Sequence, residues 1–183
     1  MAQENQKDLA MTREQKDLVM KDLCCRLPYG VYVQIVDRVG FTHHIVELNP
    51  EVIQKMWSYK SIKPYLRPMS SMSEEEAKEL LFVRLQAKYG TSCAYIKNFI
   101  KLNEVSFREK SPYEGSIAVW FSFENKIHDT PQIREYSKCE YLGQINDITL
   151  AEIDWLNKNK FDFRGVIPKD LALSTDEFNP YED

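Results

Sequence analysis

Thr12-Arg-Glu-Gln15, Ser73-Glu-Glu-Glu76 and Thr149-Leu-Ala-Glu152 each set a hydroxyl residue three positions before Glu or Gln at the head of an apolar stretch with helical spacing. Each has the form of a capping box, in which the hydroxyl accepts from an orphan amide of the first turn and the Glu or Gln reaches back to the cap amide. Three helix starts are thereby expected. Behind the first, Val19, Leu23 and Leu27 recur at i, i+4 and i+8, flanked by Met20 and Cys24, and Pro28 biases Leu27 out of the helical region, so that helix stops near Arg26. Behind the second, Ala77, Leu81 and Leu85 repeat the spacing and Gly90 stands where a left-handed C-terminal cap belongs. The third opens a short helix with Ile153 and Leu156 at i, i+3 beside Trp155, which is expected in the core.

Between the helices the period falls to two. Val31, Val33 and Ile35 alternate with Tyr32, Gln34 and Val36, and a turn over 37–40 leads to a second strand over 41–48, closed by Asn49-Pro50; a hairpin is the economical topology. Ile117, Val119, Phe121 and Phe123 alternate with Ser116, Ala118, Trp120 and Ser122, a strand expected at the centre of a sheet. Residues 92–108 divide, with Ile96, Phe99 and Ile100 suiting a helix over the first half while Val105–Phe107 alternates. Residues 125–148 read as a loop-rich connection with one short strand around Tyr141.

Short turns between strands and the lack of a βαβ alternation predict an α+β fold: an antiparallel sheet of three to five strands with three or more helices packed around it. The expected organisation is a flexible N-terminal extension over 1–11, a single α+β domain over 12–173, and a mobile tail over 174–183 carrying four acids and no base. A 43% hydrophobic and 12% aromatic content suffices for a core.

Function classes are narrowed by what is missing. With 24 Lys and Arg against 28 Asp and Glu, the net charge of −4 provides no global field for a polyanion, which disfavours a DNA-coating role. The opening residues lack the apolar run of a leader and no stretch approaches ~20 apolar residues, so a soluble, cytoplasmic chain without membrane contact is expected. Cys24, Cys25, Cys93 and Cys139 follow no disulfide framework and form no metal-binding pair with a histidine, so they are expected as free thiols. His43 and His44 fall in a strand, where neighbours face opposite sides, with only His128 for company. Phosphate-binding glycine loops, the nucleophile elbow and the zinc-protease motif are absent. No catalytic residue, cofactor or metal is expected, and the chain reads as no enzyme.

One segment stands out. Residues 52–73 carry Lys55, Lys60, Lys63 and Arg67 with no acid, interleaved with Trp57, Tyr59 and Tyr65 and broken by Pro64 and Pro68. Cations among aromatics contact phosphates while stacking on exposed bases. The same pattern also serves a connector whose aromatics pack on their own domain while the cations reach solvent.

Cys25-Arg-Leu-Pro-Tyr-Gly30, Ile62-Lys-Pro-Tyr-Leu-Arg-Pro-Met-Ser-Ser-Met72 and Asp154-Trp-Leu-Asn to Phe161-Asp-Phe-Arg-Gly-Val-Ile-Pro-Lys169 together resemble a family of short uncharacterised proteins common in anaerobic gut bacteria and in their phages and mobile elements. The resemblance covers both ends of the chain and little of 75–148. Paired histidines often precede the Phe-Asp-aromatic-Arg-Gly segment in that family, whereas this chain has Asn159-Lys160 there. The resemblance implies a protein-interaction or accessory module of a mobile element or phage, with an unidentified protein partner. Nucleic-acid binding through 55–67 is the second reading.

Overall fold

The computed structural model describes residues 11–37, 43–90, 100–108, 115–126 and 133–182. All three capping boxes form, each with both reciprocal bonds, and open α1 (Arg13–Arg26), α3 (Glu74–Tyr89) and α4 (Leu150–Lys158). A short helix, α2 (Pro50–Gln54), is capped by the Asn49 side chain, which accepts from the Val52 amide. The strands are β1 (Tyr32–Val36), β2 (His43–Glu47), β3 (Ser61–Leu66), β4 (Ile100–Phe107), β5 (Ile117–Lys126), β6 (Ile133–Leu142) and β7 (Leu173–Ser174). The fold is α+β.

The strands form two sheets rather than one, ordered β2-β1-β3-β7 and β4-β5-β6. Each sheet has its own hydrophobic cluster. The chain divides into two compact units: unit 1 is Met1–Leu66 with Val166–Asp183, and unit 2 is Arg67–Gly165.

In unit 1, β1 pairs antiparallel with both β2 and β3, and β3 pairs in parallel with β7, so this sheet is mixed. Val33, Ile35 and Ile62 face a core shared with Val19 and Leu23 of α1. Pro64 is tolerated inside β3 because its missing N–H falls on the side of β7, which pairs only from Tyr65 onward. Gly30 ends the turn after α1 at φ +61°, a left-handed conformation, and a Cβ there would lie 3.3 Å from Glu47 Oε1.

The tail read from its acids as mobile is held across this sheet. Thr175 N–H donates to Leu66 O, and the Tyr181 hydroxyl donates to Tyr65 O at 3.0 Å while its oxygen accepts from Tyr32 N–H at 3.1 Å. Edge contacts of Tyr181 with Tyr32 and of Phe178 with Tyr65 complete the attachment. Counting charges overlooked these two aromatics.

In unit 2, β5 lies at the centre of its sheet, as expected, and turns Ile117, Val119 and Phe121 toward Ala77, Leu80, Leu81 and Leu85 of α3. The helical reading of 92–99 lies outside the described residues, while 100–107 is strand. The loop expected over 125–148 contains the ten-residue strand β6. Its pattern is obscured because Glu140, opposite core residue Val119, is polar for a reason. Glu140 meets Arg84, which lies on the apolar stripe of α3 at 1% side-chain exposure. Arg84 Nε donates to Glu140 Oε2 at 3.0 Å, Nη1 to Glu152 Oε1 at 3.0 Å and to Tyr141 O, and Nη2 to Asp147. Glu152 is the capping glutamate of α4, so one guanidinium joins α3, β6, the turn over Ile145–Asp147 and α4. The neighbouring Arg84, with Lys88, holds the Asp147 carboxyl below its ordinary range.

Gly143 lies at φ +75°, and a Cβ there would sit 2.7 Å from Met69 Cε. Trp155 is half-buried against the cluster and stacks on the buried ring of Phe161 at 5.9 Å.

Candidate functional site

The residues of the basic aromatic segment lie on several elements, each with its own surroundings. Lys55 lies after α2 and is paired with Glu51, Nζ to Oε1 2.5 Å, an i,i+4 contact that raises the lysine and lowers the glutamate. Lys63 on β3 is paired with Asp170 at 2.5 Å. Lys60 is half-buried, with its N–H donating to Val36 O and its carbonyl accepting from Met11 N–H.

Tyr65 is 4% exposed, with its ring against Phe178. Burial pushes its phenol up, opposed by the hydrogen bond from Gln34. Tyr59 is half-buried against the unit 1 core. In unit 2, Arg67 forms a two-pronged pair with Glu76, Nη1 to Oε1 2.6 Å and Nη2 to Oε2 3.0 Å. Its guanidinium also lies 4.2 Å over the Phe161 ring. Burial pushes the Glu76 carboxyl up, but the hydrogen bonds from Arg67 and Ser73 and the guanidinium charge hold it lower overall.

Trp57 is different. It sits on a single 3-10 turn, Met56–Ser58, whose Met56 side chain is buried in the core, and its own indole is 42% exposed. Reversal of direction at that turn explains the geometry: Met56 anchors the segment while Trp57 points outward. Its indole lines a cleft of about 530 Å³ together with Met11, Arg13 and Lys16, a volume suited to a small ligand or to a few side chains of a partner.

Both cations come from the first turns of α1, three residues apart and so on one helix face. Lys16 is 6% exposed, and its ammonium donates to the Tyr59 carbonyl at 2.5 Å. The carbonyl orients the ammonium. Met11 contributes a polarisable thioether and is fixed by its N–H to Lys60 O and by the Ile62 amide, which donates to its Sδ. The cleft thus sets two cations beside an indole and a thioether. It can neutralise an anionic group while covering an adjoining apolar or aromatic one.

No family model, curated protein or solved structure matches the chain.

Among the described residues, Trp57 is the one singled out by sequence that lines the cleft; Met11, Arg13 and Lys16 were not anticipated. The available clue was positional: Lys16 precedes Val19 by three residues, which puts a cation on the buried stripe of α1. Met11, assigned by composition to the N-terminal extension, is instead a core residue at 9% exposure; residues 1–10 of that extension lie outside the described residues.

The remaining candidates are placed individually. His43 and His44 are both exposed, and His44 Nε2 lies 3.6 Å from Asp37 Oδ2. Cys24 and Cys25 are exposed free thiols and Cys139 is a half-buried one; burial raises Cys139 most. Cys93 and His128 lie outside the described residues. Among the described residues, no group of three or more His, Cys, Asp or Glu is placed to hold a metal ion. No helix among them is long and apolar enough to cross a membrane.

Proposed function

We propose that this chain is a protein-interaction module that receives an acidic, aromatic-bearing segment of a partner in the cleft of Arg13, Lys16 and Trp57. The observation that carries the reading is that exposed Arg13 and the exposed indole of Trp57 line one cleft. A strand of nucleic acid tracks a run of cations, but Lys55, Lys63 and Arg67 each hold a carboxylate that would repel phosphate. Arg13 stands beside an exposed indole in the cleft. A carboxylate next to an aromatic side chain matches this pairing in charge and shape. The resemblance to proteins of phages and mobile elements supports an accessory role in such an element, acting in the cytoplasm by binding rather than by catalysis.

The test is affinity capture with the full chain and with the Arg13→Glu and Trp57→Ala variants as baits, before and after nuclease treatment. Both substituted side chains are exposed, so the fold is expected to survive. A protein captured by the parent chain, lost with either variant and retained after nuclease supports the reading. Capture that disappears with nuclease favours the nucleic-acid alternative.

A further inference from the structure

Asp176, Glu177 and Phe178 are consecutive exposed residues of the tail of unit 1, two carboxylates followed by an aromatic ring. They form a loop pinned on both sides. Before it, Thr175 N–H donates to Leu66 O, and after it the Tyr181 hydroxyl bridges Tyr65 O and Tyr32 N–H. Inside it, the Asp176 amide donates to Ser174 Oγ at 3.2 Å and the Glu177 amide to Ser174 O at 3.4 Å. These bonds occupy the backbone and leave both carboxylates exposed. Phe178 meets Tyr65 edge-on at 5.6 Å between ring centres and is still 53% exposed. A loop already held in one conformation loses little further freedom when a partner binds it.

Resting on the reading of the cleft as a protein-binding site, we propose that its occupant is the Asp176–Phe178 loop of a second copy of this chain. The cleft suits a carboxylate beside an aromatic ring, and the loop presents that pair. Among the described residues, the charged ones that line the cleft, Arg13 and Lys16, are cations, whereas the charged residues of the loop are acids. Exposed Arg13 faces Asp176 and Glu177 of the partner subunit, and the exposed part of the Trp57 indole covers Phe178 of the partner subunit. The loop of the same copy is held elsewhere. Thr175 is tied to Leu66, while Met11 of the cleft is tied to Lys60 and Ile62 at the opposite end of β3. Ile62 and Leu66 are about 13 Å apart along the strand at ~3.3 Å per residue. Loop and cleft are different surfaces, so each copy gives one and receives one, a head-to-tail contact.

Sedimentation of the full chain and two variants over a wide concentration range tests this. Arg13→Glu reverses the receiving charge, and Asp176→Lys with Glu177→Lys reverses the donated one. All three side chains are exposed, so the melting temperature should not change. The parent chain should associate reversibly with rising concentration, and each variant alone should do so roughly tenfold or more weakly. Mixed in equal amounts, the two variants should form a dimer that grows no further, because one keeps the loop and the other keeps the cleft. A parent chain that stays monomeric overturns the proposal. So does association that either variant leaves unchanged, or a mixture that fails to pair. The Trp57 indole N–H resonance, followed during addition of a peptide of aspartate and phenylalanine, separates the two readings. A monomeric parent chain whose Trp57 signal shifts overturns the occupant and leaves the cleft as a binding site, whereas a monomeric chain with a stationary signal overturns both.

Discussion

The two units differ in what their ion pairs join. In unit 2 a single guanidinium at 1% exposure gathers three carboxylates from three other elements. In unit 1, Lys55 and Lys63 are each met by one carboxylate at the surface. The Arg26–Asp22 pair of unit 1 is also buried, at 2.7 Å, yet it joins residues of one helix, four apart. The difference separates charges that hold elements together from charges that merely lie near one another. A buried charge that loses its partner leaves an uncompensated ion, whereas an exposed pair gains little over solvent.

Arg84→Met gives the largest expected effect. It leaves Glu152, at 0% exposure, without its guanidinium, and should cost about 3 to 5 kcal/mol in denaturant unfolding. Adding Glu152→Gln should return part of that loss, because the stranded charge is removed. Equal losses for the single and double variants would show that Arg84 acts by packing and not by charge. Trp155→Ala should follow at about 3 kcal/mol, since it removes the ring stacked on Phe161. An unchanged denaturant midpoint would take Trp155 out of the core of unit 2.

Unit 1 should respond to alkali through its tail. Burial pushes the Tyr181 phenol up to about 12, from an ordinary 10. The folded form therefore holds the proton more tightly than the unfolded form. This contribution is fully present below pH 10 and is lost as the pH rises toward 12, a difference of roughly 3 kcal/mol. Tyr181→Phe should remove that alkaline step and cost about 1 kcal/mol at neutral pH through the lost bond to Tyr65 O. The smallest effect belongs to Lys55→Ala, which should leave the melting temperature unchanged because both partners of its pair are open to water.

Helix starts were legible in the sequence because a capping box is local: Thr12, Ser73 and Thr149 each form the bonds their spacing announces. β5 was legible for the same reason, as its alternation sits within one strand. What escaped the sequence is decided between distant residues. β6 carries Glu140 at a core-facing position to serve Arg84, fifty-six residues away, so its apolar alternation is broken. The tail reads as acidic until Phe178 and Tyr181 find Tyr65 and Tyr32. The segment 55–67 is a run of free cations only when read linearly, since the acids that pair with Lys63 and Arg67 lie outside it. The cleft was half visible: Trp57 belonged to the expected set, whereas Arg13 and Lys16 meet it only because α1 packs beside the turn at Met56–Ser58.

The most direct test is a nuclear magnetic resonance titration of the indole N–H signals with a short peptide that alternates aspartate and phenylalanine. The chain has three tryptophans, each giving one such signal. Trp57 should shift progressively on addition of peptide while Trp120 and Trp155 stay in place, and Arg13→Glu should abolish the shift. A stationary Trp57 signal, or a shift that persists in Arg13→Glu, would contradict the assignment of the cleft as the site where a partner binds.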